Sequence, residues 1–526
     1  MSAVSNSKPL WKSYEQTGDP DDMVLAPEVA DQIGLKVDGS GGQIASLTGE
    51  GVPLLAAIVA DAVTPLQYGA AGDGLADDTS ALQAAFNSGR NIDLGGKTYL
   101  VSASLSLPAA GIHIMGRGAT IKTTSATADI LTIAQYGTNY VIEDLYLSAS
   151  VNKTAGWGIN ARNIRRSIFR NVRVLGQDDY ETGRRFYGGI FLNGADTCAV
   201  ISCTFWGNSY AGLAVCNGSE LKIIGGTRFV YNGIGVLCGG SFGGLYIDDT
   251  DLHNVCNVRF DTSLTGATNL QAFFGSKMTS DVSGSNGVYI ASNSIGYLHA
   301  VGTWFASSGQ DSLAVDGAQQ AGLYVEPNNS TLNLELDGCF FFNNMGCGLF
   351  MEGGGTTKVC STRFWLNGQY GGTANIPRHG FYITNTAGPI DVKACLFQQS
   401  AGYDCNVACI PPTLTVVSNT FDLKSGGQFS TSAPLSSMSA SYIIRGNSNY
   451  ATAGGSNNAL ATGSTTVTVY HGLVAIPQCI QLTPKGPIPV FVVEGSETAK
   501  SFQVGISEAQ SAPVGFYWWA SVGFGA

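Results

Sequence analysis

A phenylalanine, six intervening residues and then a Gly-apolar-x-apolar strand return along this chain at short and nearly constant intervals. The clearest copies are Phe205…Gly212-Leu213-Ala214-Val215-Cys216 and Phe341…Gly348-Leu349-Phe350-Met351-Glu352. Looser copies set Phe229 before Gly235, Phe305 before Gly322 and Phe364 before Gly380. Steps between phenylalanines are 24 residues (205 to 229), 23 (341 to 364) and 24 (397 to 421), and wider gaps at 306–321 and 365–379 read as insertions. A unit this short cannot bury its own apolar face; it must stack on copies of itself, which is the logic of a solenoid. Gly supplies the turns (69 of 526 residues) and β-branched and aromatic residues fill the intervals, so the coils are built from short strands. No Gly-X-Y period is present, which excludes collagen. The expected fold is all-β: a right-handed parallel β-helix.

The chain carries a net charge of −11, against nucleic acid as a main partner, since phosphate binding needs a basic surface. Its 12 cysteines show no paired Cys-x-x-Cys at zinc spacing. Cys203, Cys216, Cys339, Cys360 and Cys395 fall inside strand patterns and read as small buried hydrophobes. The first 20 residues lack an apolar signal core. The longest apolar run, 53–63, is too short to cross a bilayer, so no membrane insertion is expected.

Residues 1–63 carry no repeat and read as an attachment segment. In 64–122, Asp77-Asp78-Thr79 precedes Leu82, Ala85 and Phe86 at helical spacing, which predicts an N-capped helix over 78–88. Strands follow at 91–94 and 98–101. Tyr68-Gly69-Ala70-Ala71-Gly72-Asp73-Gly74, then Asp77-Asp78-Thr79 and Ala81-Leu82-Gln83-Ala84-Ala85, resembles the opening of the pectate-lyase-like family, FGAxGDGxxDDTxAxQxA, with Tyr68 where Phe is usual. The likeness spans 66–121. It implies that the helix caps the open N-terminal end of a β-helix, where an uncovered rung would be a sticky edge. The repeat then runs to about residue 450. Residues 451–464, rich in Gly, Ala, Ser and Asn, read as a linker. Residues 465–526 read as a small β module for trimerisation or glycan binding. This module resembles the C-terminal modules of bacteriophage tailspikes and fibres. That resemblance implies a homotrimer in the virion tail, joined to the tail or baseplate through the N-terminus, assembled in the host cytoplasm and released by lysis, with a bacterial surface polysaccharide as its partner.

Strand alternation turns the repeat into columns of outward residues. One column collects Phe191, Ala214, Tyr289, Tyr324, Phe350 and Tyr382, and the next Asn193, Cys216, Ala291, Glu326, Glu352 and Thr384. Aromatic faces suit the C–H side of sugars, and Glu326 and Glu352 on adjacent rungs, about 5 Å apart, suit a retaining glycosidase. A second face aligns Asn333, Glu335 and Asp337 outward, with His299 and Lys358 in the column of Glu335 and Asp248 and Lys393 in that of Asp337. Its two carboxylates, about 7 Å apart along one strand, suit an inverting pair. The loop at 176–187 is dense in charge, and Arg378 and His379 close an insertion beside Tyr382, where they would hold a uronate or serve a lyase. Asp248-Asp249-Thr250-Asp251 lacks calcium-loop spacing, and neither metal nor cofactor is expected. The expected activity is endo-glycosidic hydrolysis of a capsule, exopolysaccharide or O-antigen, with Glu326, Glu352, Glu335 and Asp337 as candidate catalytic groups. Tyr289, Tyr324, Phe350, Tyr382, Arg378, His379 and His299 are the candidate binding groups. The alternatives are β-elimination on a uronate polymer and a glycan-binding adhesin that does not cut.

Overall fold

Three strands per coil, each hydrogen-bonded in parallel to its counterpart one coil away, build a β-solenoid of about 13 turns. The computed structural model describes residues 62–521 apart from 134–135, 177–185, 262–271, 294–295, 311–318, 370–375, 423–424, 432–441 and a few positions between 426 and 500. It also describes two paired strands near the N-terminus, Leu35–Val37 and Ile44–Leu47. The remainder of the 1–63 segment and most of the charged 176–187 loop lie outside the described residues. Strand makes up 53% and helix 3%, as the repeat predicts.

One coil reads Leu323–Val325, Asn333–Asp337, Phe340–Phe342, and the next Leu349–Met351, Thr357–Cys360, Arg363–Trp365. Their pairing creates three long sheets, with register fixed residue by residue (Leu323 to Leu349, Leu334 to Thr357, Phe341 to Phe364). The repeat phenylalanine is the inward residue of the third sheet. Phe305, Phe341, Phe364, Phe397 and Phe421 are fully buried, with ring centroids 4.6, 4.8, 4.8 and 5.2 Å apart in succession. Past these rings, buried asparagines pass amide hydrogen bonds from rung to rung. Asn208 Nδ2 donates to Asn232 Oδ1 at 2.6 Å, Asn232 to Asn254 at 2.7 Å, Asn344 to Asn367 at 2.8 Å and Asn419 to Asn447 at 2.9 Å. These bonds satisfy amide groups that a dry interior would otherwise strand.

The cap is as expected. Helix α1 (Thr79–Asn87) buries Ala81, Leu82, Ala85 and Phe86. The acidic residues of its motif are pins: the buried Asp78 accepts from the amides of Ala71 (2.6 Å) and Gly72 (3.1 Å), and Asp73 from those of Leu75 and Ala76. All 12 cysteines are free, and nine are buried.

The C-terminal module has two three-stranded antiparallel sheets over its own core of Leu460, Val469, Phe502, Val504 and Phe516. Here the linker reading is corrected. Thr452–Leu460 is a strand paired with Val514–Ser521, with Gly454 opposite Trp519 and Gly455 opposite Trp518. Small residues that suit a linker also suit a strand facing tryptophans across a sheet.

Candidate functional site

The first sheet carries the expected aromatic column, with two rungs that the glycine-led pattern skips. From Ala214 the register runs to Leu237, Arg259, Tyr289, Tyr324, Phe350, Tyr382 and Asn406. Arg259 escapes the pattern because Asn257 occupies the position that Gly287 holds one coil later. The guanidinium of Arg259 lies 4.8 Å over the Tyr289 ring and pairs with Asp261, its Nε 2.6 Å from Oδ2.

The rings stack at 5.7 Å (Tyr289 to Tyr324), 5.3 Å (Tyr324 to Phe350) and 5.1 Å (Phe350 to Tyr382). Their exposure corrects the expectation. Tyr324 is 7% and Phe350 4% exposed, because Ala321 and Cys347, on the segments that enter these coils, pack over them. Only Tyr289 and Tyr382 are half-buried. His379 stands 4.6 Å from Tyr382. Its Nδ1 accepts from the Tyr403 amide at 2.8 Å, and burial pulls its pKa down to about 4. A neutral imidazole adds no positive charge beside Arg378 at neutral pH.

Glu326 and Glu352 sit side by side where the sheet gives way to turns, followed by Pro327 and by Gly353-Gly354, and the Glu352 amide donates to the Val325 carbonyl at 2.9 Å. Each carboxylate reaches back one coil to a tyrosine of the column. The Tyr289 hydroxyl donates to Glu326 Oε1 and the Tyr324 hydroxyl to Glu352 Oε2. Burial, followed by these bonds, pushes both phenols well above the ordinary tyrosine value, so they remain donors. The two acids differ in how fully they are held. Glu326 Oε2 also accepts from the Ser292 amide at 3.0 Å and its hydroxyl at 3.3 Å, whereas Glu352 Oε1 has no hydrogen bond among the described residues.

A cavity of about 360 Å³ opens beside this row, lined by Arg259, Tyr289, Tyr324, Glu326, Asn286 and Gln319 among others. It has uncommitted polar groups. Gln319 Oε1 is buried with no partner among the described residues. Asn286, 5% exposed, accepts from the Ala321 amide through Oδ1 at 3.0 Å, and its Nδ2 donates to none of the described residues. Two such groups, one acceptor and one donor, beside a carboxylate and aromatic rings are the requirements of a sugar unit.

The second face behaves differently. Glu335 aligns with His299 and Lys358, and Leu334 and Leu336 point inward, as expected. Both Glu335 oxygens are engaged, Oε1 by Lys358 Nζ at 2.8 Å and Oε2 by the Tyr297 hydroxyl at 3.0 Å. The Lys358 ammonium first, then Tyr297, hold its carboxyl below the usual range. Asp337 is exposed, and two rungs on Lys393 pairs with Asp391 at 2.6 Å. Glu335 is here the anion of an ion pair between neighbouring rungs, with both of its oxygens committed.

No protein-family model and no curated protein matches the chain. Solved structures similar to it include the tailspike protein gp49 of Pseudomonas phage LKA1 (13% identity, 88% of this chain and 99% of that one, TM-score 0.46) and the Dettilon tailspike protein gp208 (12%, 91% and 97%, 0.44). The A-module of the Azotobacter vinelandii mannuronan C-5 epimerase AlgE4 is similar as well (12%, 73% and 97%, 0.45). These likenesses are distant. The fold stands on the chain's own strand pairing, and the chemistry on its own residues.

Proposed function

We propose that this chain is a bacteriophage tailspike that binds a bacterial surface polysaccharide and cuts it by endo-glycosidic hydrolysis. The observation that carries the reading is the cavity lined by Arg259 and Glu326, with its uncommitted Gln319 and Asn286 groups, where Glu326 has a second tyrosine-held carboxylate, Glu352, on the adjacent rung. Rungs stand about 4.8 Å apart, close to the separation of about 5–5.5 Å that favours retention. Glu326, held in place by three donors, faces the anomeric carbon as the nucleophile. Glu352, with one oxygen uncommitted, delivers the proton to the leaving oxygen and recovers it from water. Tyr289 and Tyr324 orient the two carboxylates. No cofactor is required. Trimerisation and attachment through the N-terminal segment belong to the same reading.

A second reading, a glycan-binding protein that does not cut, draws on the burial of Tyr324 and Phe350, which makes the tyrosine–glutamate bonds a structural ladder. Incubation with polysaccharides from candidate hosts, followed by size analysis, separates the two. Under the hydrolytic reading, Glu326→Gln and Glu352→Gln each lower cleavage at least about 100-fold with an unchanged circular dichroism spectrum. Normal shortening by both variants ends the assignment. Products bearing an unsaturated uronate would mean β-elimination instead.

A further inference from the structure

Glu326 has a cavity on either side along its strand. The first holds Arg259. The second, about 440 Å³, is formed by the turns that follow four successive coils of the first sheet and is lined by Asn293, Asn328, Asn329, Ser330, Asn385 and Thr386 with Gly353, Gly354 and Ala387. Among the described residues no lining residue is charged. Asn328 and Asn385 line the cavity, are exposed, and make no side-chain hydrogen bond among the described residues. The walls, by contrast, are fixed. Asn329 Nδ2 donates to the Ala291 carbonyl (3.1 Å) and to that of Glu326 itself (2.8 Å), and Thr386 Oγ1 donates to Gly355 at 2.8 Å. Asn328 adopts φ 65°, a left-handed turn that asparagine tolerates, which puts its amide on the cavity wall two residues past Glu326. Two residues span at most about 7 Å, the reach of one or two sugar units.

We propose that this asparagine-lined cavity is a second sugar subsite, that it takes an uncharged unit such as a hexose or an N-acetylhexosamine, and that the polysaccharide therefore crosses the first sheet along the strand direction, over Glu326, between the two cavities. Amide and hydroxyl groups pair with sugar hydroxyls and acetamido groups. A uronate placed there would meet no cation, in a protein whose net charge is already −11. The proposal rests on the reading of the first cavity as the glycan site and deepens it.

The test uses the full-length chain and, as probe, whichever of a panel of uncharged and uronate-containing bacterial polysaccharides the wild type binds or shortens. Ala387→Trp fills the cavity, and Asn385→Ala removes one free amide while leaving the wall bonds intact. Asn385→Ala is expected to weaken polymer binding about tenfold, the loss of roughly one hydrogen bond to a ligand, and Ala387→Trp by more, with unfolding temperatures unchanged in both. Binding is also measured in the Glu326→Gln background, where cleavage is absent, and should fall by the same factors. Mass analysis of the wild-type products should place an uncharged sugar at one of the two new ends. Wild-type binding by both variants, or uronates at both new ends, overturns the subsite. If Glu326→Gln still cuts while Ala387→Trp abolishes binding, the hydrolytic assignment falls and the subsite stands. If Glu326→Gln is inactive and Ala387→Trp is normal, the subsite falls alone. Absence of binding to every member of the panel overturns both.

Discussion

Glu326 and Glu352 stand one coil apart on the same column, yet their surroundings assign them different work. Three donors hold Glu326 and one holds Glu352, so removing a donor should affect the two differently. Tyr289→Phe deletes a donor from Glu326 and leaves the ring under Arg259. We expect kcat to fall about tenfold or more with little change in KM, because the lost bond orients a reacting carboxylate and does not bind the polymer. His379 gives a prediction with a defined sign. Its pKa is about 4 in the folded protein and has an ordinary value of 6.5, so between these values the unfolded chain binds more protons and stability falls as pH drops. Asp404, whose burial lifts its carboxyl to about 6, acts in the opposite direction over much of that window. The measurement is therefore the difference in unfolding free energy between wild type and His379→Gln, in which Asp404 cancels. That difference should shift against the wild type from pH 6.5 down to 4 and stay flat above. At this scale the outward column and its two glutamates were legible from strand alternation alone. Arg259 was not, since Asn257 breaks the glycine marker. The burial of Tyr324 and Phe350 was not either: Ala321 and Cys347, which cover them, stand just before the repeat glycines Gly322 and Gly348, and alternation along the strand takes in only the residues after the glycine.

The elements themselves were legible because a single spacing generates them. Each repeat phenylalanine stacks on the next at 4.6–5.2 Å from Phe305 to Phe421, so the period seen in the sequence is the physical contact between coils. What the phenylalanines concealed is the asparagine a few residues on, a polar residue that composition assigns to a loop surface and the fold buries. Asn232 receives the Asn208 amide and donates to the Phe205 carbonyl and to Asn254. Replacing it with alanine leaves a buried donor and acceptors unmet on both neighbouring coils and should cost about 1–3 kcal/mol, read as a lower denaturant midpoint. The ladder of Glu335 with Lys358 makes the contrast. Both partners are partly exposed, so Glu335→Gln should leave stability and cleavage nearly unchanged, even though its spacing from Asp337 along one strand looked like an inverting pair. Spacing along a strand places two carboxylates but does not say which of them is already neutralised by the coil above.

For the molecule as a whole, the solenoid and the C-terminal module bury separate cores, and the cap at α1 closes the first coil. A long scaffold of this kind can carry a groove at any coil, so the position of the two cavities around Glu326 is a property of a few coils and was not implied by the fold. The overall charge does bear on what such a groove admits. With −11 over the chain and only 12% charged residues, the protein repels polyanions at long range, and the one cation among the described residues of the first cavity, Arg259, is already paired with Asp261. An uncharged polymer is indifferent to that field, while an anionic one must overcome it. Raising salt from about 20 to about 200 mM shortens the screening length roughly threefold. Affinity for an uncharged polysaccharide should then change less than about twofold, and affinity for an anionic one should rise as repulsion is screened. A steep fall in affinity with salt would instead mean that cations dominate recognition, and would move the binding face away from the Arg259–Glu326 row.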